Sequence, residues 1–220
     1  MKIRLLHLYD DLLNLYGEYA NLSAMERALS EQGLEVEADR KSLGDEVNFS
    51  EYDWITLGAG TEKALKRALS DLLPRKEGLS VSLAEGRFLL ATGNSLSLFG
   101  EKITDGEGRV EPALGLFSYE TKVSGSERRL SDEVCQSDLL EEPCVGFMNT
   151  AQSLYGVKTP LFRVRHGLGN SPGDGGEGFF EGSFFGTQLT GPVLIKNPHF
   201  ASFFVKKLTE KAGIPYREPT

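Results

Sequence analysis

The chain has little of what would tie it to a membrane, a polyanion or a metal. No stretch approaches the roughly 18 consecutive apolar residues that a membrane-crossing helix requires. The opening "MKIRLLHLYDD" turns acidic too early for a secretory leader. Basic residues are outnumbered, 24 Lys and Arg against 32 Asp and Glu, for a formal charge of −8. Binders of nucleic acid or membrane surfaces show the opposite, clustered Lys and Arg, so neither partner is expected. The two cysteines, Cys135 and Cys144, make no disulfide framework. They fit free thiols in a reducing compartment, and a cytoplasmic location is expected. The three histidines are His7, His166 and His199, and no His/Cys/Asp/Glu group has metal-ligand spacing. No metal and no cofactor are expected.

What is present suits one α/β domain spanning residues 1–220. At 40% apolar residues, the chain can fill a single good-sized core. Ile3 to Tyr9 reads as a buried strand, and Leu22, Met25, Ala28 and Leu29 as a helical stripe closed by Gly33. "LEVEA", "DWITL" and "RFLLAT" read as further strands, with helices from about Glu62 to Leu73 and from Leu79 to Glu85 between the last two. This alternation calls for a mostly parallel central sheet with helices on both faces. Beyond Gly100 the segments "ALGLFSYETKV", "EVCQ", "CVGFMN" and "LFRVRHG" predict a β-rich second half that extends or covers the sheet. Residues 167–182 hold seven glycines and predict a surface loop. "SFFGTQL" predicts a strand. A last helix starts near Pro198, with Phe200, Phe203, Phe204 and Leu208 on one face.

The stretch "LLATGNSLSLFG" reads as a strand, a turn and the start of a helix. A nucleophile elbow is built this way, because the turn lifts one side chain above the carboxyl edge of a parallel sheet. The N–H groups of the following helix can then lower a thiol's pKa and bind an oxyanion. At the tip of this turn stands Gly93, which has no side chain to offer.

The order "LNLYGEYANL", "LGAGTE", "LATGNSLSLFG", "GLFSYET", "ERRL", "VGFMN", "GLGN", "EG", "FGTQLTGPVLIKNP" resembles the CobB/CobQ-like class I glutamine amidotransferases over essentially the whole chain. Within them it is most similar to the GatD-like glutaminase subunits of lipid II isoglutaminyl synthase. The resemblance puts the family's nucleophilic Cys at Gly93, its general-base His at Thr190 in "GTQLTGP", and a third His at Thr150. Glutamine hydrolysis by that route needs a thiolate and an imidazole, so the resemblance implies a catalytically deficient relative.

For the surviving positions, the resemblance implies an oxyanion-hole turn at Gly58 and Gly60 and a glutamine-holding arginine at Arg129, with Arg128 beside it leaving the register open by one. Asn94 follows the degenerate tip, and Asn170 and Glu177-Gly178 match the loop beyond. Two readings of these positions stay open: a remnant glutamine pocket, or ordinary strand-end turns and a surface charge. Cys135 and Cys144 are expected in the core, Thr92 in the sheet packing, and His7 in a structural hydrogen bond. The implied assembly is a heterodimer with a Mur-ligase-like subunit. Phe200, Phe203, Phe204, Tyr216 and Arg217 are the candidate contacts. An active amidase with a relocated nucleophile and a glutamine sensor remain the alternatives.

Overall fold

The computed structural model describes residues 2–218. The chain begins β1 (Lys2–Leu8), α1 (Tyr19–Glu31), β2 (Glu35–Lys41), β3 (Trp54–Leu57), α2 (Glu62–Leu72), α3 (Lys76–Ala84) and β4 (Phe88–Thr92), which is the expected alternation. The second half runs β5 (Lys102–Thr104), β6 (Val110–Pro112), β7 (Glu120–Val123), β8 (Arg129–Gln136), β9 (Cys144–Thr150), β10 (Gln152–Tyr155) and β11 (Phe162–His166). It ends with β12 (Gly176–Glu177), β13 (Phe179–Glu181), β14 (Phe184–Thr187), β15 (Leu189–Thr190), α4 (Val193–Lys196) and α5 (Pro198–Ala212).

The central sheet has the order β13-β14-β4-β3-β1-β2, parallel except where β13 meets β14. β3 and β4 lie in its middle and are covered on both faces, which is why "WITL" and "FLLAT" are almost uninterrupted apolar runs. One face packs on α2 and α3 through Leu65, Leu69, Leu72 and Leu79. The other packs on α1 and α5 through Leu22, Met25, Phe200, Phe204 and Leu208. The helix ends follow local chemistry. The Thr61 hydroxyl accepts the Ala64 N–H at 3.2 Å and caps α2, while Gly213, at φ +72°, stops α5.

Most of the second half does not extend this sheet. It forms two sheets of its own, β10-β7-β5-β6 and β12-β11-β8-β9-β15, and only β13 and β14 join the first. "ALGLFS" is a loop rather than a strand, because its backbone bonds run to Leu98, Phe99 and Gly100 instead of along a ladder. The glycine-rich stretch is a surface loop only in part, at residues 172–175. Asn170 and Glu177 within it are fully buried, and it contributes β12 and β13. Gly178 answers close approach: a Cβ there, at φ +70°, would run into the Gly186 carbonyl.

The apolar face of α5 is not an exposed docking surface. Phe204 packs against Phe185 (ring centroids 4.9 Å apart), Phe200 (5.2 Å), Phe88 (5.7 Å) and Trp54 (6.1 Å). Phe203 is half-buried against Phe185 at 5.6 Å. These rings face inward because the sheet beneath them would otherwise present its own apolar face to water. Of the expected contacts, Arg217 is exposed and Tyr216 half-buried, the latter with Lys206 over its ring. Phe204→Ala should therefore lower unfolding free energy by about 3–5 kcal/mol. Urea denaturation checks this, and a change under ~1 kcal/mol would contradict the packing.

Candidate functional site

Gly93 follows directly on β4, at φ +63°, in the left-handed region that elbow tips occupy. The turn does not open into an α-helix, as the sequence suggests, but into a six-residue 3₁₀ segment, Gly93–Leu98. Serine hydroxyls explain the difference. Ser95 donates to the Thr92 carbonyl at 2.9 Å and Ser97 to the Asn94 carbonyl at 2.8 Å, contacts that compete with α-helical pairing. Thr92 is buried in the sheet and donates to the Leu57 carbonyl.

The fold brings Gly93, the glycine turn after β3 and Thr190 together. A Cβ built at Gly93 would lie 2.7 Å from the Ala59 Cβ and 3.7 Å from the Thr190 Cγ2. The first distance is below any ordinary carbon contact, so the Ala59 methyl occupies the space that a side chain at the tip needs. Thr190 is turned away from proton transfer at this point: its hydroxyl donates to the Phe147 carbonyl at 2.9 Å. Ala59 was not singled out from the sequence, although the signal was there, a methyl between two glycines in "LGAGTE".

Asn94 closes the same junction. Its Oδ1 accepts the Gly60 N–H at 3.0 Å, and its Nδ2 donates to the Gly60 carbonyl at 2.7 Å. The Gly60 amide, the oxyanion donor that the resemblance implies, is thus satisfied within the chain. Gly58 is a packing glycine, since a Cβ there would collide with the Leu13 carbonyl and lie 2.6 Å from the Glu18 Cβ.

Arg129 and Arg128 take different places in the structure. Arg129 donates through NH1 and NH2 to the carbonyls of Leu168 (2.8 Å), Gly169 (2.7 Å) and Asn170 (3.0 Å). It pins the glycine-rich stretch. Arg128 instead lines a cleft of about 520 Å³ together with Ala59, Asn94, Asn149, Gln152 and Thr190. Asn170 makes a double hydrogen bond with the Gly178 backbone, both distances 2.8 Å.

The remaining titratable groups are poor catalysts where they stand. Cys144 and Cys135 face each other across the β8–β9 ladder, both buried and free. Burial pushes the Cys144 thiol up to about 12, although its Sγ lies 3.4 Å from the His199 Nε2. His7 is fully buried, and neither ring nitrogen has a hydrogen-bond partner among the described residues, contrary to the structural bond expected of it. Burial, with Arg40 adding to it, holds its pKa down at about 4, so it stays neutral. Among the described residues no group of His, Cys, Asp or Glu is arranged to hold a metal ion, and no helix is long and apolar enough to cross a membrane.

Glu177 is the most perturbed carboxyl near the site. Burial raises it from its ordinary 4.5 to about 8, against the opposing effect of the Gln188 N–H and Thr187 hydroxyl that donate to it. A carboxyl with a raised folded pKa keeps its proton in the folded chain after the unfolded chain has released it. Its contribution to stability is therefore full below about 4.5 and is lost as pH rises through about 8.

Two outcomes follow from this geometry. Glu177→Gln should gain stability relative to the parent as pH rises across that window, by at most about 1.4 kcal/mol per pH unit. Urea titrations at stepped pH test it, and parallel profiles would refute it. Gly93→Ala should destabilise the fold, and Ala59→Gly in the same chain should recover part of the loss. A double-mutant cycle should show coupling on the order of 1 kcal/mol; additive effects would mean that the two positions do not touch.

The CobB/CobQ-like glutamine amidotransferase domain matches residues 4–198 of this chain. Among curated proteins, the chain is similar to the lipid II isoglutaminyl synthase (glutamine-hydrolyzing) subunit GatD of Staphylococcus aureus, 27% identical over 98% of this chain and 88% of that one. The subunit of the same name from Streptococcus pneumoniae is 26% identical over 96% and 82%. Among solved structures, a glutamine amidotransferase crystal structure superposes with a TM-score of 0.58 at 17% identity, over 95% of this chain and 99% of its own. From Arg4 to Pro198, then, the chain belongs to the family of CobB/CobQ-like glutamine amidotransferase domains.

Proposed function

We propose that this chain is a GatD-like glutamine amidotransferase subunit that no longer hydrolyses glutamine. In this reading it serves as the structural or regulatory partner of a Mur-ligase-like enzyme, in amidation of a peptidoglycan precursor or a related ligation. The observation that carries the reading is Gly93 at the elbow tip, with the Ala59 methyl 2.7 Å from where its Cβ would be. A single substitution at the tip would leave room for a nucleophile; here the room is filled as well. Thr190, bonded to Phe147, supplies no imidazole, and the Gly60 amide is taken by Asn94. In a comparable catalytic unit, loss of nucleophile or base alone costs on the order of a million-fold in turnover. The similarity to proteins named as subunits of lipid II isoglutaminyl synthase supports the partner and the pathway.

The chain, alone or with its ligase partner, should release no ammonia from glutamine above a buffer control. Gly93→Cys with Thr190→His should not restore release, whereas adding Ala59→Gly should permit alkylation of the new thiol by iodoacetamide. Ammonia production by the unaltered chain would overturn the reading. Co-purification with a Mur-ligase-like protein, followed by a sizing column, tests the partnership; separate elution at micromolar concentration would refute it.

A further inference from the structure

The outer face of the β8–β9 pair is apolar where it meets water. Register sets Leu130 opposite Asn149, Asp132 opposite Phe147 and Val134 opposite Val145, so these side chains share one face. The other face, which carries Cys135, Cys144 and Met148, is buried in the core. An antiparallel sheet packed on one side normally turns polar residues to the solvent on the other. Here Leu130 is 58% exposed, Val145 48% and Phe147 38%, and Val134 is half-buried. A lone exposed apolar residue needs no explanation, but a group of them on one sheet face marks a docking surface.

The charges on that face point to the occupant. Arg128 lies over it, donating through Nε and NH2 to Asn149 at 2.7 and 2.9 Å, and pairs with no carboxylate among the described residues. Asp132 is exposed and likewise forms no ion pair among the described residues. The two stand on either side of Leu130, each about 7 Å from it along the strand. A two-fold axis lying in the interface and crossing β8 at Leu130 lays this strand antiparallel on its copy. Leu130 then meets Leu130, and Arg128 of each copy meets Asp132 of the other. Packed sheets lie about 10 Å apart, a gap that a long guanidinium side chain and a carboxylate close between them. A partner of another sequence would have to supply this apolar strip and both charges in matching order; a second copy already has them.

We propose that this chain forms a two-fold homodimer through the outer face of β8 and β9. The surface goes beyond the ligase partnership and does not depend on the chemistry of the elbow. Because Arg128 also lines the cleft, docking brings the cleft rims of the two copies side by side. The apolar strip is small, which places the dimer among weak, concentration-dependent interfaces. Sedimentation velocity on the full chain alone, diluted from millimolar to micromolar, tests it. The mass should fall from that of two chains to that of one. Leu130→Asp, at an exposed position that folding tolerates, sets two carboxylates on the axis and should weaken assembly at least about tenfold. Arg128→Asp and Asp132→Arg should each weaken it about tenfold, because each sets like charges face to face in both symmetry-related pairs. The variant carrying both changes should return to within about threefold of the parent, since the two-fold again matches opposite charges. A one-chain mass at every concentration overturns the proposal. So does a dimer that Leu130→Asp leaves unchanged, or a double variant no better than the singles. A one-chain mass together with slowed hydrogen exchange at residues 130–134 on adding a Mur-ligase-like protein overturns it too, and assigns the face to that partner.

Discussion

The double hydrogen bond between the Asn94 carboxamide and the Gly60 backbone holds the carboxyl edge of the central sheet together. β3 and β4 are neighbours in that sheet, and each ends in a turn whose backbone polar groups lose their ladder partners. An Asn at the start of the elbow supplies a donor and an acceptor at once, so Gly60 is satisfied on both sides. With those two turns tied, Ala59 is pressed against Gly93, and everything stacked on the glycine turn is placed. The segment around Leu13 and Glu18 lies so close to Gly58 that only glycine fits there.

A second polar centre organises the β-rich half. Asn170 clamps the Gly178 backbone, Arg129 gathers three successive carbonyls of the glycine-rich stretch, and Glu177 is held by Thr187 and Gln188. Buried polar groups of this kind are costly unless paired, and of the side chains just named Gln188 keeps one unpaired atom, its Oε1. The pairing is what lets Asn170 and Glu177 of this stretch lie in the interior while residues 172–175 stay at the surface. It also consumes Arg129, which leaves Arg128 as the arginine of the cleft.

Two of the segments that carry the family resemblance are far apart in the chain and adjacent in space. Asn21, at the end of "LNLYGEYANL", accepts the Leu194 N–H of the C-terminal segment at 3.0 Å, across 173 residues. Leu15 of the same segment donates to the Ala59 carbonyl at 2.9 Å. The two pieces therefore meet around the elbow and brace it from two sides. These contacts do not involve the side chain at the tip.

The sequence by itself determined the alternating α/β first half, the turn at Gly93 and the helix from Pro198. These are local properties, set by apolar periodicity, turn glycines and residue identity, and they need no knowledge of distant neighbours. Tertiary structure alone decided the rest. Whether the α5 phenylalanines face a partner or their own sheet depends on what lies beneath them, and the sheet lies beneath them. Glycine-rich composition reads as loop, yet Arg129, far away in sequence, and the clamp of Asn170 on Gly178 within the stretch draw part of it inward. Which of two adjacent arginines reaches the cleft follows from strand pleat and register, which alternate neighbouring side chains to opposite faces and cannot be read without knowing the pairing. The blocked elbow is of the same kind. Ala59 and Gly93 are 34 positions apart, and only the parallel register of β3 with β4 brings the methyl of one against the missing side chain of the other.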